Sequence, residues 1–134
     1  MARAGVPVCL MHAQGTPQTM QHNPRYVDVL QEVHDFLAAR IEYALDQGIA
    51  RERLIVDPGI GFGKTLRHNL TLLSGFSLFH NLGAAVLLGA SRKKFIGILS
   101  GVETAAERMP GSVAVALQAA AQGVQISRVH DVTE

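Results

Sequence analysis

The stretch LIVDPGIGFGK, residues 54–64, joins a short apolar run to one acidic residue and an alternating series of glycines. The run at residues 54–56 is typical of a strand buried on both faces, and the Pro-Gly pair after Asp57 ends it. Asp57 therefore stands at the carboxyl end of a buried strand, where a charge needs a partner. The stretch predicts a parallel sheet with a site at its strand ends.

The segments on either side continue the same alternation of strand and helix. Apolar runs predict further strands at residues 6–12, 84–88 and 124–129. Asn23 and Pro24 suggest a helix start, with Asn as the cap, and helical spacing then continues to Gly48. Further helices are predicted at residues 66–79, weakened near Gly75, at 93–99 and at 112–121, with a polar loop at 101–108.

Strands that alternate with helices indicate an α/β fold with four parallel strands and right-handed crossovers. Two architectures fit this order: a small doubly wound sheet, or about half of a TIM (β/α)8 barrel. Both bind ligands at the carboxyl ends of their strands.

Composition excludes several classes of partner. The net charge is +1 and aromatic residues make up 5%, which argues against nucleic acid or an anionic membrane as a partner. No apolar run approaches the ~20 residues of a spanning helix, and the N-terminus leads straight into a strand, so we expect no signal peptide. The single cysteine, Cys9, is expected in the core, and its lack of a disulfide partner favours the cytoplasm.

Polar clusters follow the predicted strands and seldom precede them. Asp57 is open to two interpretations: an acid that fixes its own loop, or an acceptor for the N–H groups of a heterocycle. The glycines at 59, 61 and 63 allow tight turns or close approach to a ligand. Their spacing with Lys64 does not match a P-loop, so nucleoside triphosphate binding is rejected.

Cations also gather after two strands. Ser91 is predicted to cap a helix, which would place Arg92, Lys93 and Lys94 at its N-terminus, where the helix dipole disfavours positive charge. An anionic or electron-rich ligand would reverse that cost, although Lys94 alone is read as a surface residue. Period-two spacing puts Arg128 and His130 on one face of the last strand, suited to a diphosphate. The histidines show no metal-binding spacing.

Four motifs together resemble one known family. They are VCLMH at residues 8–12 with Gln14 and Gly15, DPGIGFGK at 57–64, SRK at 91–93 and RVHD at 128–131. In this order and spacing they resemble dihydropteroate synthase over nearly the whole chain. The resemblance implies that residues 1–134 form the C-terminal half of a TIM barrel, strands five to eight, within one pterin-binding domain.

The resemblance also implies an activity and roles for single residues. The family is a transferase of folate biosynthesis and a sulfonamide target. It joins 6-hydroxymethyl-7,8-dihydropterin diphosphate to p-aminobenzoate and releases diphosphate. By resemblance, the catalytic residues are Asp57, which holds the pterin, and Lys93, which contacts it near the incoming amine. The substrate-binding set further comprises Met11, Gly61 and Gly89 in the pterin slot, Phe62 and Ser91 on the p-aminobenzoate side, Arg92 beside the pterin, and Arg128 and His130 for the diphosphate.

The chain also departs from the family. Mg²⁺ is implied as a cofactor, but the loop that would bind it belongs to the first four strands, which are not in this sequence. The last helix is also missing. We therefore expect a fragment without activity of its own, from an enzyme that is a homodimer at full length.

Two alternatives stay open. A pterin-barrel methyltransferase domain would share the fold and the acidic pterin contact, but the SRK motif at residues 91–93 argues against it. A non-catalytic module would instead use the half-barrel to associate with itself.

Overall fold

The computed structural model describes residues 4–132. Within this range helices connect four strands, as predicted, with one helix in each of the first two connections and two helices in the third. Short 3₁₀ turns at Arg51–Arg53, Phe76–Leu82 and Ala105–Arg108 complete the connections. The main elements are β1 (Val8–Met11), α1 (Val29–Asp46), β2 (Leu54–Asp57), α2 (Leu66–Ser74), β3 (Ala85–Leu88), α3 (Lys94–Ser100), α4 (Met109–Ala121) and β4 (Ile126–Ser127).

The four strands form one parallel sheet in the order β1-β2-β3-β4. The register pairs Met11 with Asp57 across β1 and β2, and Leu88 with Ser127 across β3 and β4. Because every strand runs the same way, all four carboxyl ends lie at one edge of the sheet. The loops after them are therefore brought together, which confirms the α/β fold with parallel strands.

One face of the sheet packs against the helices and forms the core. Side chains of β2 and β3 that point to this face, such as Val56 and Val86, are fully buried. They are covered by Leu37 of α1 and by Phe76 and Phe79 of the 3₁₀ turn that follows α2. Burying each side chain of this size contributes roughly 1.5–3 kcal/mol, so this layer supplies most of the driving force for folding.

The opposite face of the sheet carries side chains that are open to solvent. On β1, Cys9 and Met11 are exposed while Val8 and Leu10 are half-buried. The prediction that Cys9 lies in the core was therefore wrong. The apolar run around it was read as buried on both faces, whereas the helices of this chain cover only one of them.

The first helix begins later than the Asn23–Pro24 pair indicated. Asp28 is its N-cap, and the Asp28 carboxylate accepts a hydrogen bond of 3.1 Å from the backbone N–H of Gln31. Glu32 accepts two further bonds, from the N–H groups of Val27 and Asp28. Asn23 instead adopts a left-handed backbone conformation with φ of 54°. Two competing start signals lie close together in the sequence, and the acidic pair satisfies more of the free N–H groups.

Other boundaries differ by a few residues. The helix predicted at 66–79 is divided at Gly75 into α2 and a 3₁₀ turn, where weakness was expected. Helix α4 starts before residue 112, with Pro110 in its first turn, and β4 is shorter than the run at 124–129. Within residues 4–132, no helix is both long and apolar enough to cross a bilayer.

Candidate functional site

The edge formed by the four strand ends holds the predicted site residues. Asp57 ends β2 directly beside Met11, and the Asp57 carbonyl accepts a hydrogen bond of 3.0 Å from the His12 N–H. Met11 is 39% exposed on the open face, whereas Asp57 is only 4% exposed. The sheet thus presents an apolar side chain next to a buried acid.

The structure shows that the Asp57 carboxylate fixes its own loop, whereas its role as an acceptor for a heterocycle stays a prediction. Its Oδ1 accepts a hydrogen bond of 2.8 Å from the Gly59 N–H, which fixes the turn after β2. Its other oxygen takes no hydrogen bond from any residue between 4 and 132. Burial raises the pKa of Asp57, opposed by the Gly59 N–H and by Lys93, Arg128 and Lys64. An N–H donor on a ligand would act in the same direction as these cations.

The glycines after β2 fasten this turn to the loop that follows β1. A Cβ on Gly59 would lie 1.8 Å from the His12 carbonyl oxygen, and one on Gly63 would lie 2.4 Å from the Gln14 carbonyl oxygen. Both residues also have positive φ, at 73° and 65°. These two positions need glycine because another backbone lies against them. Only Gly61 differs among the three, since its nearest neighbour is the side chain of Lys93 at 3.3 Å.

Lys93 lies across the glycine segment toward Asp57. Its ammonium donates to the Ile60 carbonyl and lies 4.4 Å from the centre of the Phe62 ring. Burial lowers its pKa to about 8, while Asp57 raises it and Arg128 lowers it. The half-buried amine therefore gives up its proton more readily than an exposed lysine, which suits proton transfer near neutral pH.

Ser91 does not cap α3, contrary to the sequence prediction. The N-cap is Lys93, without a side-chain hydrogen bond, and α3 begins at Lys94. The buried Ser91 hydroxyl instead accepts a bond of 3.2 Å from the His130 N–H and lies 3.0 Å from His130 Nδ1. The serine therefore joins the loop after β3 to the segment after β4.

Arg92 is held by a neighbour that the sequence did not single out. Its guanidinium forms a bidentate ion pair with Asp131, with Nε 3.1 Å from Oδ2. The Asp131 pair raises the pKa of Arg92 and lowers that of Asp131. Arg92 has a left-handed φ of 58°, and its N–H and carbonyl are bound by Ser112 and Arg108. The arginine at this point ties the ends of β3 and β4 together.

Arg128 and His130 are exposed beyond the short strand β4. They are open to solvent because β4 pairs on one side only. Val129 between them turns toward α4 and lines an apolar cavity there. The guanidinium of Arg128 lies over Gly89, where a Cβ would be 3.0 Å from Nη2. Both side chains are thus accessible to an anion.

A cavity of about 380 Å³ lies between the glycine segment and α3. Its walls include Phe62, Lys93 and Phe95, with Gln21 and Asn69 at its edges. Such a slot, with aromatic walls and a cation, is suited to a flat anionic molecule. A larger depression of about 610 Å³ lies near Arg51 and His80, before the strands begin, and carries none of the predicted site residues.

The structure brings most of the predicted residues to one edge, in two groups. Met11, Asp57, Gly61, Phe62 and Lys93 surround the end of β2, whereas Ser91, Arg92, Arg128 and His130 surround the end of β4, with Gly89 between the groups. Sequence reasoning missed Lys64 and Asp131. Both stand in the motifs that carry the resemblance, DPGIGFGK at 57–64 and RVHD at 128–131, but neither was given a role.

The residues present do not form a magnesium site by themselves. Between residues 4 and 132, no group of three or more His, Cys, Asp or Glu side chains could hold a metal ion. Asp57, the acid nearest the site, is surrounded by cations. The donor set of residues 4–132 therefore does not fit Mg²⁺.

Residues 1–130 match the protein family described as pterin binding enzyme. The chain belongs to this family. Dihydropteroate synthase of Escherichia coli strain K12 is 50% identical to this chain over 133 residues. These residues are 99% of the chain and 47% of the relative. The chain thus spans about half the length of the curated relatives it matches.

Solved structures agree with this membership. The Yersinia pestis dihydropteroate synthase with a sulfonamide drug complex superposes with a TM-score of 0.94 at 48% identity, covering 98% of the chain and 47% of that protein. The Xanthomonas albilineans enzyme in complex with 7,8-dihydropteroate has a TM-score of 0.90 at 46% identity, with 98% and 47% covered. These neighbours are TIM barrels, so the sheet of this chain is about half of such a barrel.

Proposed function

We propose that this chain supplies half of the active site of a dihydropteroate synthase. The reaction would join 6-hydroxymethyl-7,8-dihydropterin diphosphate to p-aminobenzoate. The carbon–oxygen bond to the diphosphate breaks, a carbon–nitrogen bond forms, and the amine loses a proton. Identity of 50% to the Escherichia coli synthase supports this assignment. The similar Xanthomonas albilineans enzyme was solved with 7,8-dihydropteroate, the product of this reaction.

One observation carries the proposal: the buried Asp57 has an oxygen left for a ligand and Lys93 beside it. A pterin edge offers adjacent N–H and amino donors, which a carboxylate accepts. The diphosphate would leave with negative charge, and the exposed Arg128 and His130 would stabilise it. The aniline nitrogen is a weak nucleophile, so stabilisation of the departing group aids its attack. The cavity beside Phe62 would receive the p-aminobenzoate.

The experiment is a calorimetric titration of the chain with 6-hydroxymethylpterin. Asp57→Asn keeps an oxygen for the Gly59 N–H but removes the charge, so we expect binding at least about tenfold weaker, equal to roughly 1.5–3 kcal/mol. Asp46→Asn, on the exposed end of α1, is the matched control and should bind as the unsubstituted chain does. Equal affinity in Asp57→Asn would contradict the proposal.

The whole reaction needs more than this chain offers. The chain covers about half of its relatives and its donor set does not fit Mg²⁺, so we propose that the remaining half of the barrel provides the metal ligands. We also propose that the sheet here corresponds to strands five to eight, and that the full enzyme is a cytoplasmic homodimer. Synthase turnover by the purified 134-residue chain alone would refute the dependence on a second half.

Two competing functions are distinguished by simple measurements. A pterin-barrel methyltransferase domain would bind pterin but be indifferent to p-aminobenzoate, so competition by p-aminobenzoate analogues favours the synthase.

A self-associating module is favoured by the open sheet face with Cys9 and Met11. Sedimentation with and without pterin tests it, since a dimer that ignores the ligand would support the module.

A further inference from the structure

A buried lysine joins the ends of β1 and β2. Lys64 is only 3% exposed, although lysine is seldom buried without a partner. Its ammonium lies 2.9 Å from His12 Nδ1 and donates a bond of 3.0 Å to the Phe62 carbonyl. An ammonium has no acceptor atom, so His12 accepts this bond as a neutral ring. Lys64 therefore holds the glycine segment against the end of β1.

The same segment supports Lys93. The Lys93 ammonium bonds to the Ile60 carbonyl, its stem lies against Gly61, and its charge lies over the Phe62 ring. Each contact that Lys93 makes here is with residues 60–62, and Lys64 binds the last of these through its carbonyl. Any shift of the segment would thus be passed directly to Lys93.

We propose that Lys64 is a positioning residue, which fixes residues 60–62 by its bonds to Phe62 and His12 and so sets the surroundings of the Lys93 ammonium. The catalytic meaning of this arrangement rests on the proposed synthase function. The arrangement itself depends only on the contacts within the chain.

The charges around Lys64 come from every element packed near it. Asp57 at the end of β2 raises its pKa, whereas burial, the larger effect, and Lys93 lower it to about 7. His12 lies in direct contact, and burial and Lys64 lower the pKa of His68 on α2. Glu32 on α1 acts from farther away, raising the pKa of both histidines. One buried acid is therefore shared by two lysines, and Lys64 titrates near neutral pH.

The alternative is that Lys64 merely fills space under the glycine segment. Lys64→Met separates the two ideas, because methionine keeps much of the apolar stem and removes all donors. If Lys64 positions the segment, residues 60–62 loosen, amide exchange at Gly61 and Phe62 becomes faster, and Lys93 gains water, so that its pKa rises from about 8 toward the ordinary 10.5. If Lys64 only fills space, loss of its repelling charge alone raises the Lys93 pKa, amide exchange at Gly61 and Phe62 stays unchanged, and the proposal is overturned.

The measurements are NMR amide exchange at Gly61 and Phe62 and an NMR titration of the lysine side chains, both in the 134-residue chain. Lys94→Met is the matched control, because Lys94 is an exposed lysine next to Lys93, and this variant should leave the Lys93 titration in place. A second reading needs no substitution and so survives a variant that fails to fold. In the unsubstituted chain, the amide signals of Gly61 and Phe62 should move as Lys64 titrates.

Amide signals of Gly61 and Phe62 that stay still through that titration would equally overturn the proposal. Neither reading requires turnover or a bound pterin. If the chain binds no pterin while exchange at Gly61 and Phe62 becomes faster in Lys64→Met, the synthase assignment fails and the positioning role stands. If pterin binds but that exchange does not change, the synthase assignment stands and the positioning role fails.

Discussion

The ends of β2 and β4 both carry site residues, yet they are built in opposite ways. After β2, the backbone is held by buried groups: Gly59 lies against His12, Lys64 bonds to Phe62, and the buried Asn69 accepts from the Gly61 N–H at 2.8 Å. Strand β4 has only two residues and leads to the exposed Arg128 and His130. This segment is held by the hydrogen bond between Ser91 and His130 and by the ion pair between Arg92 and Asp131.

The difference matches two kinds of ligand. A flat heterocycle is selected by hydrogen bonds of fixed direction, so its side of the site gains from rigid, buried groups. A diphosphate is bound mainly by charge, which tolerates movement and solvent. Under the proposed function, the groups that would bind the pterin are held in place before a ligand arrives, whereas those that would bind the diphosphate are more exposed. The variants below test that contrast.

The largest effect is expected at Gly59. In Gly59→Ala the new Cβ would overlap the His12 carbonyl, and φ is positive, so we expect a loss of about 2–4 kcal/mol in the free energy of unfolding. Urea unfolding measures it. Gly48→Ala is the control, because Gly48 has a φ of 78° but nothing within 4 Å of the added Cβ. Similar losses in both variants would mean that the contact with β1 is unimportant.

The His12 side chain should make stability depend on pH. Burial first, and then Lys64, lower its folded pKa to about 4 from the ordinary 6.5. The unfolded chain therefore binds more protons between these values, and stability is lost as the pH falls from 6.5 to 4, by about 2–3 kcal/mol. Urea unfolding at several pH values should show this slope. His12→Asn should flatten it, whereas His22→Asn, at an exposed position, should keep it.

Substitution of Ser91 tests the firmest link at the β4 end. Ser91→Ala leaves the His130 N–H without its partner, but water can reach this segment, so we expect a loss of about 1 kcal/mol by urea unfolding. Amide exchange at His130 should become faster. Ser100→Ala, whose hydroxyl bonds only within and next to α3, serves as the control and should leave that exchange rate unchanged. A loss as large as that of Gly59→Ala would remove the contrast between the two ends.

The smallest change in stability is expected for Asp131→Asn. The Arg92 pair lies near the surface, where ion pairs contribute little, so the urea midpoint should barely move. NMR of the Arg92 side chain should nevertheless show a freer guanidinium. Asp35→Asn, an exposed acid on α1, is the reference. If Asp131→Asn unfolds the chain, the β4 end is more tightly built than its exposure indicates.

The sequence predicted the sheet well because its strands carry strong signals. Residues 54–56 are a continuous apolar run, followed by Asp57 and Pro-Gly, and the strand in the structure is Leu54–Asp57. Helix starts were harder, since Asn23 and Asp28 both look like caps and only tertiary packing decides between them. Ser91 has the right residue type for a cap, but its hydroxyl bonds across to His130.

The sequence predicted the location of the site more accurately than the contacts of its residues. The strand ends indicated where Asp57 and Lys93 would gather, because parallel strands leave no other arrangement. Burial could not be read from the same pattern. Cys9 sits in an apolar run but faces the open side, and Lys64 looks like a surface residue but lies in the core. Both depend on which faces of the sheet are covered, and that information is spread over the whole fold.

The exposed Cys9 has a practical consequence. It is the one cysteine of the sequence and lies on the open face of β1, two residues before Met11. A thiol-reactive fluorophore would therefore attach at a single known position near Asp57, and no cysteine would have to be introduced or removed. Burial and the nearby acid raise the thiol pKa, so labelling calls for mildly alkaline buffer. The fluorescence of a label at Cys9 would then report ligand binding at the strand ends.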